Sequence, residues 1–313
     1  MSKHKTVILM IVLSFVGCHR DKSPNSLQAG EDLLYQGKPR EAIEMLATVP
    51  WSAQEAMAAR RLIAEICTRI DLPRQDGGQA RPRVDLVEIV STLPHDASCY
   101  TQGLEFNGDT LLESCGLYEK SVVRRVDVDT GAVLQEYRLN SKYFGEGLTQ
   151  FGGSVFVLTW AEGVGLVLDS KLTQQERSFT VQGEGWGMTH DATSLICSNG
   201  SNEIRFLDPK SGAIKKVIKI FNGELPLMNI NELEYVNGEL LANIWPTERI
   251  ARIDPVSGRL LGWILAEGLL PNRLRFKADV LNGIAYDSAG DRLLLTGKLW
   301  PTTFVVRLKP LAL

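Results

Sequence analysis

Apolar positions recur every three or four residues between Ser26 and Ile70: Leu33, Leu34, Ala42, Ile43 and Leu46, then Ala56, Ala59, Leu62, Ile63 and Ile66. That period lays one apolar stripe along a helix and predicts two helices within residues 19–70. Over residues 71–83 the pattern dissolves into Pro, Gly, Arg and Gln, the composition of a linker. From Val84 onward the period becomes two, with short aliphatic and β-branched runs divided by Gly, Asn and Asp.

Repetition inside that second part decides its architecture. A marker of one polar or aromatic residue, one small or acidic residue and one aliphatic residue recurs at 102–104, 146–148, 186–188, 231–233 and 282–284. Successive copies lie 44, 40, 45 and 51 residues apart, the length of a four-stranded antiparallel unit. A second marker, an Asp turn at Asp127, Asp169, Asp208 and Asp254, follows 22 to 25 residues later and reads as the link between third and fourth strands. Five first markers and four second ones predict an all-β five-bladed β-propeller over residues 84–313. The run at 84–93 then supplies the missing outer strand of the last blade and closes the ring at its N-terminal strand.

Composition changes little in this picture. With 34 basic and 37 acidic residues the net charge is −3, which offers no general attraction for nucleic acid. The start of the chain says more: Lys3 and Lys5 precede an apolar run from Thr6 to Gly17, too short to span a bilayer and suited to a signal peptide over residues 1–18. The run ends in Ser14, Phe15, Val16, Gly17 and Cys18, which resembles a bacterial lipobox with Phe15 in place of the usual Leu. That resemblance implies lipidation of Cys18, export to the periplasm and, with His19 following, an outer-membrane lipoprotein. The remaining cysteines, at 67, 99, 115 and 197, have no metal-like spacing and read as packed thiols, with no metal site. A hairpin turning at Asn107-Gly108 with Phe106 opposite Asp109 sets Cys115 against Tyr100 and disfavours a Cys99–Cys115 disulfide. In the helical part, residues 37–43 resemble the turn and second helix of a tetratricopeptide unit. One such unit cannot bury its apolar faces alone, so it either docks on the main domain or recruits a protein partner.

Equivalent positions of a propeller converge on one axis, so Gln102, Glu146, Trp186, Asn231 and Asn282 form a candidate ring. Trp160, Trp245 and Lys298, near the ends of second strands, are expected at the same mouth. Singly, each has a bland reading: a Trp in core, a Glu or Lys in solvent. The repeat and the glycines flanking Glu146 favour a concave ligand site instead.

The motifs Tyr-Thr-Gln-Gly-Leu at 100–104, Phe-Gly-Glu-Gly-Leu-Thr at 144–149, Gly-Glu-Gly-Trp-Gly at 183–187, Asn-Glu-Leu-Glu-Tyr at 231–235, Ala-Asn-Ile-Trp at 242–245 and Thr-Gly-Lys-Leu-Trp-Pro at 296–301 together resemble the plant and bacterial glutamine cyclotransferases. The likeness runs in order over roughly residues 85–310. It implies a five-bladed propeller that converts N-terminal glutamine of peptides and proteins to pyroglutamate, releasing ammonia without metal or cofactor. By the same resemblance Glu146 is the catalytic carboxylate. Gln102, Trp160, Trp186, Asn231, Trp245 and Lys298 line the substrate pocket, with Tyr100 and Phe144 as aromatic walls. Apolar walls would raise the pKa of Glu146 and Lys298 would lower it, a balance that sequence leaves open. Cys115 stands where the family usually has Thr, Asn199 where it has Asp, and Pro246 where it has Gln. The alternative class is a non-catalytic exported propeller that binds peptides or glycans.

Overall fold

The structure, a computed structural model, describes residues 26–69 and 82–311. The signal peptide, Cys18 and most of the linker at 71–83 lie outside the described residues. The chain divides into two compact units, one ending at Ile66 and the other beginning at Cys67.

The first unit contains α1 (Ser26–Tyr35), α2 (Pro39–Ala47) and the body of α3 (Ala56–Cys67), so the two expected helices are three. The break falls at Gly37, whose φ of 74° suits a residue without Cβ. There the Gly37 and Lys38 amides donate to the carbonyls of Leu34 and Leu33, ending α1, and Pro39 starts α2 in the position where a missing amide costs nothing. Ala42, Ile43 and Leu46 of α2 and Ala59 and Ile63 of α3 are buried. Gly30 of α1 is packed so closely that a Cβ would lie 2.5 Å from the Leu46 side chain.

The second unit is almost entirely β. It opens with β1 (Arg83–Pro94), followed by three antiparallel four-stranded sheets. These are β2 (Thr101–Asn107), β3 (Thr110–Cys115), β4 (Val122–Asp127) and β5 (Val133–Arg138); β6 (Gly145–Phe151), β7 (Ser154–Thr159), β8 (Val164–Asp169) and β9 (Gln175–Thr180); and β10 (Met188–His190), β11 (Leu195–Ser198), β12 (Glu203–Leu207) and β13 (Ile214–Lys219). After the short pair β14 (Phe221–Asn222) and β15 (Leu225–Pro226) come β16 (Ile230–Val236), β17 (Glu239–Ile244), β18 (Arg249–Ile253) and β19 (Leu260–Leu265). The last strands are β20 (Leu281–Asp287), β21 (Arg292–Gly297) and β22 (Thr302–Pro310). In the eight-stranded sheet that these complete, β1 lies between β19, to which it is parallel, and β22, to which it is antiparallel.

Every strand that carries a first marker or directly follows one is a sheet edge: β2, β6, β10, β16 and β20. Such edges expose unpaired amides and carbonyls. Here the edges face one another in sequence, β2 against β6, β6 against β10, β10 against β16, β16 against β20 and β20 against β2. Side chains rather than a continuous ladder join them. Glu105 of β2 accepts from the Gln150 amide, Glu234 of β16 from the Tyr286 amide and Glu232 from the Ile284 amide, at 3.0, 2.9 and 3.0 Å. Ser114 and Ser198 hydroxyls donate to the carbonyls of Glu146 and Asn231, and the Asn282 amide donates to that of Thr101. The approach is close enough to demand glycine: a Cβ on Gly187 would lie 2.1 Å from the Asn231 carbonyl oxygen.

The expected register of the first hairpin is corrected. Asn107 pairs with Thr110 and Phe106 with Leu111, because the loop residues are Gly108 and Asp109, with Gly108 at φ 65°. A bulge at Gln102 then brings Thr101, not Tyr100, opposite Cys115. Cys99 precedes the ladder, so strand alternation does not fix its direction, and it forms a disulfide with Cys115 across a Cα separation of 5.1 Å. Cys67 and Cys197 are buried thiols, as expected, and burial pushes both up to about 12.

The stitching carboxylates have a measurable consequence. Burial raises Glu105 from 4.5 to about 7, opposed by the bonds from Thr149 and Gln150. The folded state therefore holds this proton more tightly than the unfolded chain does. Its contribution is complete below the unfolded value of 4.5 and is lost as pH rises through about 7. Urea unfolding should show stability falling by roughly 3 kcal/mol between about pH 4.5 and 8. In Glu105→Gln that slope should flatten.

Candidate active site

Four of the five edge strands carry a bulge at the marker: at Gln102 in β2, at Glu146-Gly147 in β6, at Asn231-Glu232 in β16 and at Asn282-Gly283 in β20. A bulge removes a residue from the ladder and re-aims its side chain. Gln102, Glu146, Asn231 and Asn282 are all buried, and so is Trp186, which Gly187 separates from β10. Trp160, Trp245 and Lys298 follow β7, β17 and β21 without a gap. At the matching place after β3 stands Gly116, where a Cβ would lie 2.6 Å from the Phe144 ring and 2.9 Å from Gln102.

Gln102 is the junction of the polar groups. Its Nε2 donates to Glu146 Oε1 at 3.1 Å, while its Oε1 accepts from Lys298 Nζ at 2.6 Å and Asn282 Nδ2 at 3.4 Å. An ammonium has no acceptor, so Lys298 takes the amide oxygen and fixes which way the amide points. Lys298 also lies 4.6 Å from the centroid of the Tyr100 ring, and the Tyr100 hydroxyl donates to Asp279 at 3.2 Å.

Aromatic rings surround this core in two groups. Phe144 meets Tyr100, Tyr118 and Trp160 edge to face at centroid distances of 6.4, 5.3 and 5.6 Å. Trp186 and Trp245 meet at 5.9 Å and 87°. Glu184 links the groups: its Oε2 accepts from the indole N–H of Trp160 at 3.0 Å and of Trp186 at 2.8 Å. The structure thus gathers Tyr100, Gln102, Phe144, Glu146, Trp160, Trp186 and Lys298 through these bonds and ring contacts, with Trp245 against Trp186. Asn231 takes part through its backbone carbonyl, and its buried side-chain Oδ1 has no hydrogen-bond partner.

Burial raises Glu146 well above the usual carboxylate range. Lys298 opposes that rise, whereas Glu184 and Glu162 add to it. Burial also lowers Lys298, against the attraction of Glu146 and Asp279. The balance left open by sequence is thereby decided in favour of desolvation: a neutral amide, not the ammonium, contacts the Glu146 carboxyl. A groove of about 700 Å³ lined by Arg252, Tyr286, Arg292 and Val306 shares no residue with this cluster. The convergence of buried ionisable groups is the stronger guide to chemistry.

Sequence reasoning missed Glu184, Glu162, Asp279 and Tyr118. Glu162 accepts from the Tyr118 hydroxyl at 2.8 Å, just as Asp279 does from Tyr100. For Glu184 a signal existed, since Gly183 and Gly185 flank it as Gly145 and Gly147 flank Glu146. For the other three nothing in the local pattern distinguishes a site residue from a surface one.

A mostly β protein that holds a carboxyl, a lysine and two amides under aromatic walls has the makings of an acid–base enzyme acting on a small polar group. Comparison with known proteins narrows that class. The glutamine cyclotransferase family profile matches residues 61–308, and the chain belongs to that family. It is 42% identical over 234 residues to a glutaminyl-peptide cyclotransferase of Arabidopsis thaliana, covering 72% of each chain. The crystal structure of Myxococcus xanthus glutaminyl cyclase superposes with a TM-score of 0.69 at 32% identity, covering 74% of this chain and all of that one.

Proposed function

We propose that this chain is a glutaminyl-peptide cyclotransferase, built as a five-bladed propeller that β1 closes, with Glu146 as its acid–base group. The observation that carries the reading is the Lys298–Gln102–Glu146 hydrogen-bonded row, buried beneath the two aromatic groups. The ring of edge strands and the place of β1 between β19 and β22 support the architecture.

The reaction joins the substrate's α-amino nitrogen to the Cδ of its own side-chain carboxamide, breaks the Cδ–N bond and releases ammonia. One proton passes from the attacking nitrogen to the leaving one, so a single carboxyl can serve both ends. Gln102 holds Glu146 Oε1, which assigns Oε2 to the reacting groups. Because burial raises the proton affinity of Glu146, Oε2 takes the proton from the attacking amine and then delivers it to the leaving nitrogen. The α-amine has an ordinary pKa of about 7.7–8.0, so its neutral form is accessible near neutrality.

Lys298 supplies positive potential for the developing oxyanion. The buried Asn231 Oδ1 offers an acceptor to a substrate N–H. Trp160, Trp186 and Trp245 bury the folded-back side chain, and holding that conformer is where most of the acceleration should arise. Glu146→Gln should retain the fold, by far-UV circular dichroism, and lose at least a hundredfold in ammonia release from Gln-Ala. Wild-type turnover in that variant would remove Glu146 from the mechanism.

We also propose export and a lipid anchor at Cys18, supported by the basic and apolar character of residues 1–18. Labelled palmitate should enter the protein expressed in a bacterial host. Cys18→Ser should abolish that incorporation and release the enzyme from membranes.

A further inference from the structure

Glu184 sits where the two aromatic groups meet, and its loop is built to hold it there. The Gly185 amide donates to the Trp160 carbonyl at 2.9 Å and the Trp186 amide to the Ser198 carbonyl at 3.1 Å. Gly183 takes φ 74°, and a Cβ on Gly185 would lie 2.8 Å from the Thr159 carbonyl oxygen. These constraints set the backbone on both sides of Glu184 and bring one carboxylate oxygen within bonding distance of both indoles.

Resting on the cyclotransferase reading, we infer that Glu184 is a positioning residue whose carboxylate oxygen clamps Trp160 to Trp186.

The clamp matters because an indole N–H buried without an acceptor is costly, and a carboxylate is a stronger acceptor than a neutral oxygen. Without Glu184, Trp160 keeps its ring contact to Phe144 and Trp186 keeps Trp245, but the two indoles lose their shared acceptor. The wall that shapes the substrate pocket would then be held less firmly where its two groups meet.

Two substitutions test the clamp: Glu184→Gln retains a side-chain oxygen for the indoles, and Glu184→Ala removes it. KM should stay within about threefold in Glu184→Gln and rise about tenfold or more in Glu184→Ala. Near-UV circular dichroism of the indoles should change in Glu184→Ala and be largely restored in Glu184→Gln.

Equal KM values and indole spectra in the two variants overturn the clamp. A wild-type protein that releases no ammonia defeats the cyclotransferase reading instead, and the indole spectra still test the clamp.

Discussion

The unpaired edges of β2, β6, β10, β16 and β20 are the constraint around which this protein is arranged. Each edge strand has backbone donors and acceptors that no neighbouring edge pairs in a continuous ladder. The chain answers with side chains. Glu105, Glu232 and Glu234 accept amide protons from neighbouring strands, and Ser114, Ser198 and Asn282 donate to neighbouring carbonyls. That solution requires small residues where backbones approach and polar residues where a soluble β protein would otherwise bury aliphatic ones.

The proposed active site is the end of the same arrangement. Bulges at the markers free Gln102, Glu146, Asn231 and Asn282 from their ladders. Glycines at 103, 147 and 187 allow the strands that carry them to come together. Burial follows from that closeness, and burial raises Glu146 and lowers Lys298. Both effects bring groups of ordinary pKa toward neutrality, the range in which a proton can be passed in either direction. The electrostatics of catalysis and the packing of the fold therefore have one cause.

The disulfide shows how local a misreading can be. Moving the hairpin turn by one residue, from Asn107-Gly108 to Gly108-Asp109, shifts the pairing by two residues and keeps the faces of β2 and β3. The bulge at Gln102 then shifts it by one, which brings Thr101 opposite Cys115. Likewise Gly37 fits the helical stripe by its spacing, yet its left-handed backbone divides that stripe into two helices.

Sequence alone determined the change from helical to strand period near Val84, the repeat of about 45 residues and the residue types that recur at its markers, because each is a property of neighbours along the chain. It also sufficed to bring Glu146, Gln102 and Lys298 under suspicion, through equivalence of position and family resemblance. Tertiary structure decided what those residues do to one another: that Gln102 stands between the lysine and the carboxyl, and that desolvation outweighs the lysine's attraction at Glu146. It also decided that Glu184 belongs with them, bridging Trp160 and Trp186. Those outcomes depend on distances between residues up to nearly two hundred positions apart and on how far water is excluded from them, neither of which any local pattern encodes.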